Sequence, residues 1–272
     1  MMTIQEAAAK EIQIVAHRGI AGGNIPCNSL PGFQAALRQG ADVIELDVSR
    51  STDGVLYVFH PGTEPVFLLQ DKLISEMDSH DVDALRLVNQ DNTPTVWGVP
   101  RLEEILKYLN GKAYINLDKF WTCPDEIAAL VRKLGMQDQV LIKTSAGEEN
   151  FARVEAVASD LPYMVIAREK DDFSDSLLKR KMRYVGVEAL FVTEEAPICQ
   201  PEYLQAMNDK GLVTWANSIV YNYKAVLSAG HTDDVAVSED PDYGWGWLLD
   251  RGFRIIQTDW PLALKQYIAG RK

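Results

Sequence analysis

The sequence predicts an α/β protein built as a (β/α)8 TIM barrel, on three observations. The chain has 272 residues, close to the usual size of such a barrel. Short apolar runs alternate with segments of helical period along its whole length, the pattern of β/α units around a parallel sheet. The runs that read as strands number eight.

Those strands fall near residues 12–16, 43–48, 113–118, 140–143, 163–166, 185–190, 213–217 and 254–258. The helices between them carry start and stop signals in the same register. Ser29 before Leu30-Pro31 opens a helix that Gly40 closes. Pro100 precedes Leu102, Ile105, Leu106 and Leu109 at helical spacing, and Gly111 ends that helix. Pro124 and Pro201 mark further first turns, and residues 245–251 are expected to form a helix that packs its aromatic side chains. One connection is too long for a bare barrel. From residue 61 to 99 it runs roughly forty residues, against a usual loop of about four to six. It contains a helix-like stretch at 78–87 and follows a strand-like run at 55–59. It is read as a small rim insertion after the second β/α unit of a single domain spanning 1–272.

Composition narrows the function. A hydrophobic fraction of 47% with 24% charged residues is that of a globular chain with ample core. A net charge of −12 argues against a nucleic-acid partner, because phosphate backbones are bound through clustered Lys and Arg. An anionic substrate would need a local positive centre, such as a bound metal ion. Cys27, Cys123 and Cys199 are odd in number and widely spaced, which suggests neither a disulfide framework nor a metal knuckle. The first residues are short and polar where a signal peptide would be apolar, and no later run is apolar for about 18 residues. A cytoplasmic protein without stable membrane anchoring is expected.

The reacting groups of a barrel sit where its strands end. The first such end carries His17 and Arg18. The second carries Glu45 and Asp47, which strand alternation places on one face. A second imidazole, His60, ends the run at 55–59, and Asp118 ends the third strand. Carboxylates crowded in a dry barrel mouth repel unless a positive charge sits between them. Glu45, Asp47 and Asp118 are therefore expected to hold one divalent cation, Ca²⁺ or Mg²⁺, which prefer oxygen ligands. Two histidines suit phosphodiester chemistry, one imidazole taking a proton from the nucleophile while the other protonates the leaving alkoxide. Arg18 would clamp phosphate oxygens. Lys143 and Trp215, at later strand ends, are candidate substrate contacts, as are Glu188 and Asn217. His80 and His231 are read as ordinary histidines, and Cys27 as a small, partly buried neighbour of the site.

These residues resemble the glycerophosphodiester phosphodiesterase family. AHRG, followed by PCNSLPGFQAALRQGADVIELDVSRSTDGVLYVFH, is similar to its opening signature of HRG, PENT, ExDV, T-DG and a second His. IIQTDWP and TWAN are similar to later family segments. The resemblance implies a barrel with an insertion after the second β/α unit and a divalent cation held by Glu45, Asp47 and an acid on the third strand. It also implies acid/base roles for His17 and His60, and hydrolysis of glycerophosphodiesters to glycerol 3-phosphate and an alcohol. The first step so implied is attack by the substrate's own glycerol hydroxyl, giving a cyclic phosphate that water then opens.

Three positions depart from the pattern. Cys27 replaces the Glu of PENT, Pro61 follows the second His in place of Asp, and Lys119 stands next to Asp118, out of phase with the usual Glu-x-Lys. Lys143 is expected to supply the positive charge so displaced. Two alternatives stay open at this point: a phosphodiester lyase of the phospholipase C or sphingomyelinase D type, and a catalytically silent barrel that binds a phosphorylated metabolite.

Overall fold

The computed structural model describes residues 2–222 and 224–271. Eight parallel strands close a barrel: β1 (Gln13–Ala16), β2 (Val43–Arg50), β4 (Tyr114–Asp118), β5 (Val140–Ser145), β6 (Tyr163–Arg168), β7 (Tyr184–Leu190), β8 (Val213–Asn217) and β9 (Ile255–Thr258). Pairing of β1 with both β2 and β9 shuts the ring. Each of the eight expected strands is present, within a few residues at either end. The run at 55–59 is a ninth strand, β3 (Leu56–Val58). It pairs antiparallel with the far end of β2 and lies outside the ring.

The signals read for helices act as expected. Ser29 caps α2 (Leu30–Gln39) by accepting from the Gly32 amide at 3.2 Å, and Gly40 ends it in the left-handed conformation. α5 (Leu102–Leu109) buries its four leucine and isoleucine side chains, while Pro124 and Pro201 begin α6 (Pro124–Lys133) and α9 (Pro201–Asp209). The helix expected at 78–87 is shorter: α4 covers only Ser79–Ala84. Leu87 instead pairs its backbone with Thr95 and Trp97, which pulls the chain out of the helix. The helix near 245 begins as a π-turn at Asp242–Gly246 before α11 (Trp247–Arg251).

The amino-terminal segment holds a helix that the sequence reading did not anticipate. α1 (Ile4–Lys10) is fixed by a capping box between Thr3 and Glu6. Its Ile4, Ala7 and Ala8 join Val15, Val43, Tyr114, Leu141, Met164 and Ile255 in one cluster, so α1 plugs the barrel floor. Strand period then dictates what lies above. Two residues further along each strand, the inward positions become Glu45, Asn116, Lys143, Trp215 and Gln257. A register shift at the start of β7 turns Glu188 to the same interior, opposite Ile166 and Trp215. The barrel is thus apolar below and polar at its mouth.

Residues 61–99 carry α3 (Glu64–Phe67) and α4 and pack Leu68, Ile74, Met77, Val82 and Leu87 against Tyr57 and Phe59. This small core sits on β3 at the rim. Among the described residues no helix is long and apolar enough to cross a membrane.

Candidate active site at the barrel mouth

The register of β2 against β4 sets Asp47 beside Asp118, with Glu45 two residues deeper. One oxygen from each of the three carboxylates lies within 4.8 Å of the others. Asp47 Oδ2 accepts from Asn28 Nδ2 at 2.9 Å and faces Arg18 Nε at the same distance. Its Oδ1 is buried and accepts no hydrogen bond, with Lys119 Nζ at 3.8 Å and His60 Nε2 at 4.0 Å. Glu45 Oε2 accepts the backbone N–H of Arg18 at 2.9 Å. Burial first, and then the charge of Asp47, push the Glu45 carboxyl up to about 7. An all-oxygen donor set with an orphaned carboxylate oxygen fits a hard divalent cation.

Local backbone conformation aims the cationic side chains at this cluster. Arg18 (φ +56°) and Lys119 (φ +61°) both adopt the left-handed region, which costs energy for a residue with a Cβ. The next residue, Gly19, has φ +75°, and a Cβ there would sit 2.9 Å from the Gly32 backbone and the Phe33 ring. A side chain at position 19 would therefore push the His17-Arg18 turn off α2. Lys119 corrects the expectation drawn from its phase. The chain leaves β4 at this residue, so strand alternation no longer applies, and the ammonium folds back to 2.7 Å from Asp118 Oδ2. Burial works against the charge of Asp118, but Lys119 and Lys143 outweigh it and hold the carboxyl below its usual range.

The two histidines are held differently. His60 Nδ1 lies 2.9 Å from the Pro61 carbonyl, which can only accept, so Nδ1 carries the proton and a neutral ring presents Nε2 as a base. Burial lowers its pKa, and the charges of Arg18 and Lys119 reinforce that against Asp47. His17 Nδ1 meets Asp259 Oδ1 at 2.9 Å. Burial disfavours its charge too, yet the Asp259 hydrogen bond and the charge of Glu45 raise its pKa overall. Opposed shifts of this kind separate an acid from a base.

Lys143 reaches the cavity but is paired, its Nζ 2.6 Å from Glu188 Oε2 and 4.0 Å above the Trp215 ring. Trp215 itself is wholly buried beneath that ammonium and donates to Asn217 Oδ1 at 3.2 Å. Asn217 in turn donates to Glu188 Oε1 at 2.6 Å. His80 is exposed on α4. His231 is fully buried, stacked on Trp247 with its Nδ1 2.7 Å from the Tyr243 carbonyl. Cys27 lies next to Arg18, and burial pushes its thiol up to about 11, so it stays a thiol at neutral pH.

Four further residues support the site without standing out as single residues in the sequence. Asn28 and Asp259 lie inside the motifs PCNS and TDWP, where the motif signals the family and the side chain's partner becomes visible only in the fold. Tyr221 packs edge-on against His17 with ring centroids 5.8 Å apart. Behind Asp259 stands Asp233, buried, accepting from the Asp259 amide, Ser218 Oγ, Trp245 Nε1 and Thr258 Oγ1 at 2.6 to 2.8 Å. No local signal marked Asp233, because its partners come from three separate segments.

A family model described as a domain of unknown function matches residues 163–268. A curated glycerophosphodiester phosphodiesterase of Bacillus altitudinis is 28% identical over 145 residues, covering 48% of this chain and 57% of that protein. The chain thus spans little more than half the length of the first curated relatives it matches. The crystal structure of a glycerophosphodiester phosphodiesterase from Agrobacterium tumefaciens is 27% identical, with a TM-score of 0.68 over 95% of this chain and 100% of that one. An Oleispira antarctica phosphodiesterase in complex with the product sn-glycerol-3-phosphate shares the fold. It is 17% identical with a TM-score of 0.70, over 97% of this chain and 99% of that one. In sequence and in fold, the chain resembles glycerophosphodiester phosphodiesterases.

Proposed function

We propose that this protein is a divalent-cation-dependent phosphodiesterase that hydrolyses glycerophosphodiesters to glycerol 3-phosphate and an alcohol. The observation that carries the reading is the cluster of Glu45, Asp47 and Asp118, with His17 and His60 beside it in different electrostatic settings. The names of the similar proteins support the same chemistry. A cation held by the three carboxylates would offset charge on the phosphate oxygens. Ca²⁺ or Mg²⁺ suits their oxygen donors.

The side chains of the chain itself do the rest. Arg18, anchored on Asp47, offers guanidinium N–H groups to the phosphate. His60 Nε2 takes the proton from the attacking hydroxyl, which in our reading is the substrate's own glycerol oxygen. His17, whose pKa the Asp259 hydrogen bond raises, delivers a proton to the leaving alkoxide, and water then opens the cyclic phosphate. Lys143 and Glu188 line the same cavity and in our reading bind glycerol hydroxyls, with Trp215 beneath the Lys143 ammonium. Three free cysteines suit a reducing compartment, and we place the protein in the cytosol.

His17→Ala and His60→Ala test the reading directly. Each is expected to lower hydrolysis of glycerophosphocholine by roughly 10²–10⁴-fold, the usual contribution of general acid–base catalysis, with an unchanged circular dichroism spectrum. Full activity in either variant would remove its histidine from the mechanism. Phosphorus NMR of the products distinguishes hydrolysis from a lyase, which would accumulate the cyclic phosphate.

A further inference from the structure

Two compartments adjoin where Glu45 accepts the Arg18 backbone N–H and Tyr221 packs on the His17 ring, Glu45 and Tyr221 lining the inner one and Arg18 and His17 the outer. The inner one, of about 200 Å³, lies over the barrel axis and is walled by Lys119, Lys143, Glu188, Asn217 and Gln257. The outer one, of about 640 Å³, starts at His17 and Arg18 and runs over the rim between α2 and α12 (Pro261–Gly270). Its walls include Ile20 and Phe67 on one side and Trp260, Leu262 and Ala263 on the other. Trp260 is 50% exposed and Leu262 44%, so large apolar side chains stand open to solvent along it.

The charge pattern of the outer groove is as distinct as its shape. Its polar lining away from the centre consists of neutral amides, Gln39, Gln90 and Gln266. The charged groups in that lining, among the described residues, are His17, Arg18 and Asp259 at the inner end. His17 and Asp259 are paired with each other, and Arg18 is paired with Asp47.

A phosphodiester has two ester groups, and this site offers one polar and one apolar compartment that adjoin at the Glu45–Arg18 and Tyr221–His17 contacts. We infer that the groove between α2 and α12 binds the second ester group of the substrate, and that this group is a neutral, extended, apolar alcohol. The inference rests on the phosphodiesterase reading and names its substrate class. The one carboxylate lining the groove among the described residues, Asp259, is paired with His17 at the inner end. Along the rest of its length a small cationic alcohol meets only neutral walls and leaves most of the volume to water. An alkyl chain covers Trp260, Leu262 and Ala263, which removes apolar surface from water on both partners.

The experiment compares two glycerophosphodiesters, the n-hexyl ester and the choline ester, under Ca²⁺ and under Mg²⁺. The expected result is a kcat/KM for the hexyl ester at least ten-fold above that for the choline ester. Ala263→Leu, which narrows the groove on a helix that tolerates leucine, is expected to cut that ratio about ten-fold. Leu262→Gln, which makes the wall polar, is expected to lower it in the same direction. Calorimetric binding of both esters to His60→Ala protein gives a readout independent of turnover. Equal kcat/KM and equal affinity for the two esters would overturn the inference, as would a choline preference lost in Trp260→Leu. Tighter binding of the hexyl ester with hydrolysis of neither would overturn the hydrolase reading and leave the groove assignment standing.

Discussion

Asp259 Oδ1 meets His17 Nδ1 at 2.9 Å, joining the residue that follows the last barrel strand to the one that follows the first. The pair closes the barrel mouth chemically where β1 and β9 close it structurally. Asp259 is half exposed while His17 is nearly covered, so the carboxylate is hydrated on one side and directs its charge into the site on the other.

Asp259→Asn should therefore act on the pH profile as well as on the rate. Loss of the carboxylate lowers the His17 pKa, because both its hydrogen bond and its charge raise that value. If His17 works protonated, the alkaline limb of kcat moves to lower pH, and kcat falls by roughly 10²-fold. A rate loss with an unmoved alkaline limb would assign Asp259 a packing role only.

Cation binding should depend on pH through Glu45. Its carboxyl is raised to about 7 in the metal-free protein, above an unfolded value of about 4.3. The sign follows from that direction. The contribution of Glu45 to metal-free stability is full below the unfolded value and is lost as pH rises through about 7. A cation has to displace that proton. Ca²⁺ should accordingly bind more weakly at pH 6 than at pH 8, with proton release detectable by calorimetry in buffers of different ionisation enthalpy. Affinity independent of pH across this window would contradict the assignment of Glu45 as a ligand.

Lys119→Met should destabilise the metal-free protein by on the order of 1.5–3 kcal/mol, the usual scale for a hydrogen bond to a charged group. The ammonium is the nearest cation to Asp118 and approaches Asp47, so its removal leaves the carboxylates facing one another. Saturating Ca²⁺ should recover most of the loss in chemical denaturation. A loss that Ca²⁺ leaves untouched would separate Lys119 from the carboxylate cluster.

Gly19→Ala is expected to cost about 1–3 kcal/mol from the left-handed backbone alone, with a further cost from the 2.9 Å approach to Gly32 and Phe33. Because the neighbouring Arg18 carries the contact to Asp47, activity should fall more than stability accounts for. Urea denaturation and kcat measured side by side check this, and an active, stable variant would show that the turn can shift without moving Arg18.

Eight strands, the helix caps at Ser29 and Gly40, and the shared face of Glu45 and Asp47 could be read from the sequence. They could be read because each depends on a local period or on one residue's conformational preference. The pairing of β3 outside the ring could not be read that way, since a short apolar run does not state its partner. The early end of α4 had the same cause, as the pairing of Leu87 with Thr95 and Trp97 overrode the helical pattern.

At the site the division is sharper. Sequence alone determined which residue types stand at the ends of the early strands: His17, Arg18, Glu45, Asp47, His60 and Asp118. Only the tertiary structure decided how they are charged and aimed. Asp259 reaches His17 across 242 positions of chain, and Asp233 gathers three segments behind it. Lys119 serves the cluster because the chain turns left-handed at the point where strand alternation would have sent it away. The groove beside His17 exists only where α2 and α12 meet. Periodicity is a property of neighbours in sequence, whereas burial, ion pairing and cavities depend on which distant segments barrel closure brings together.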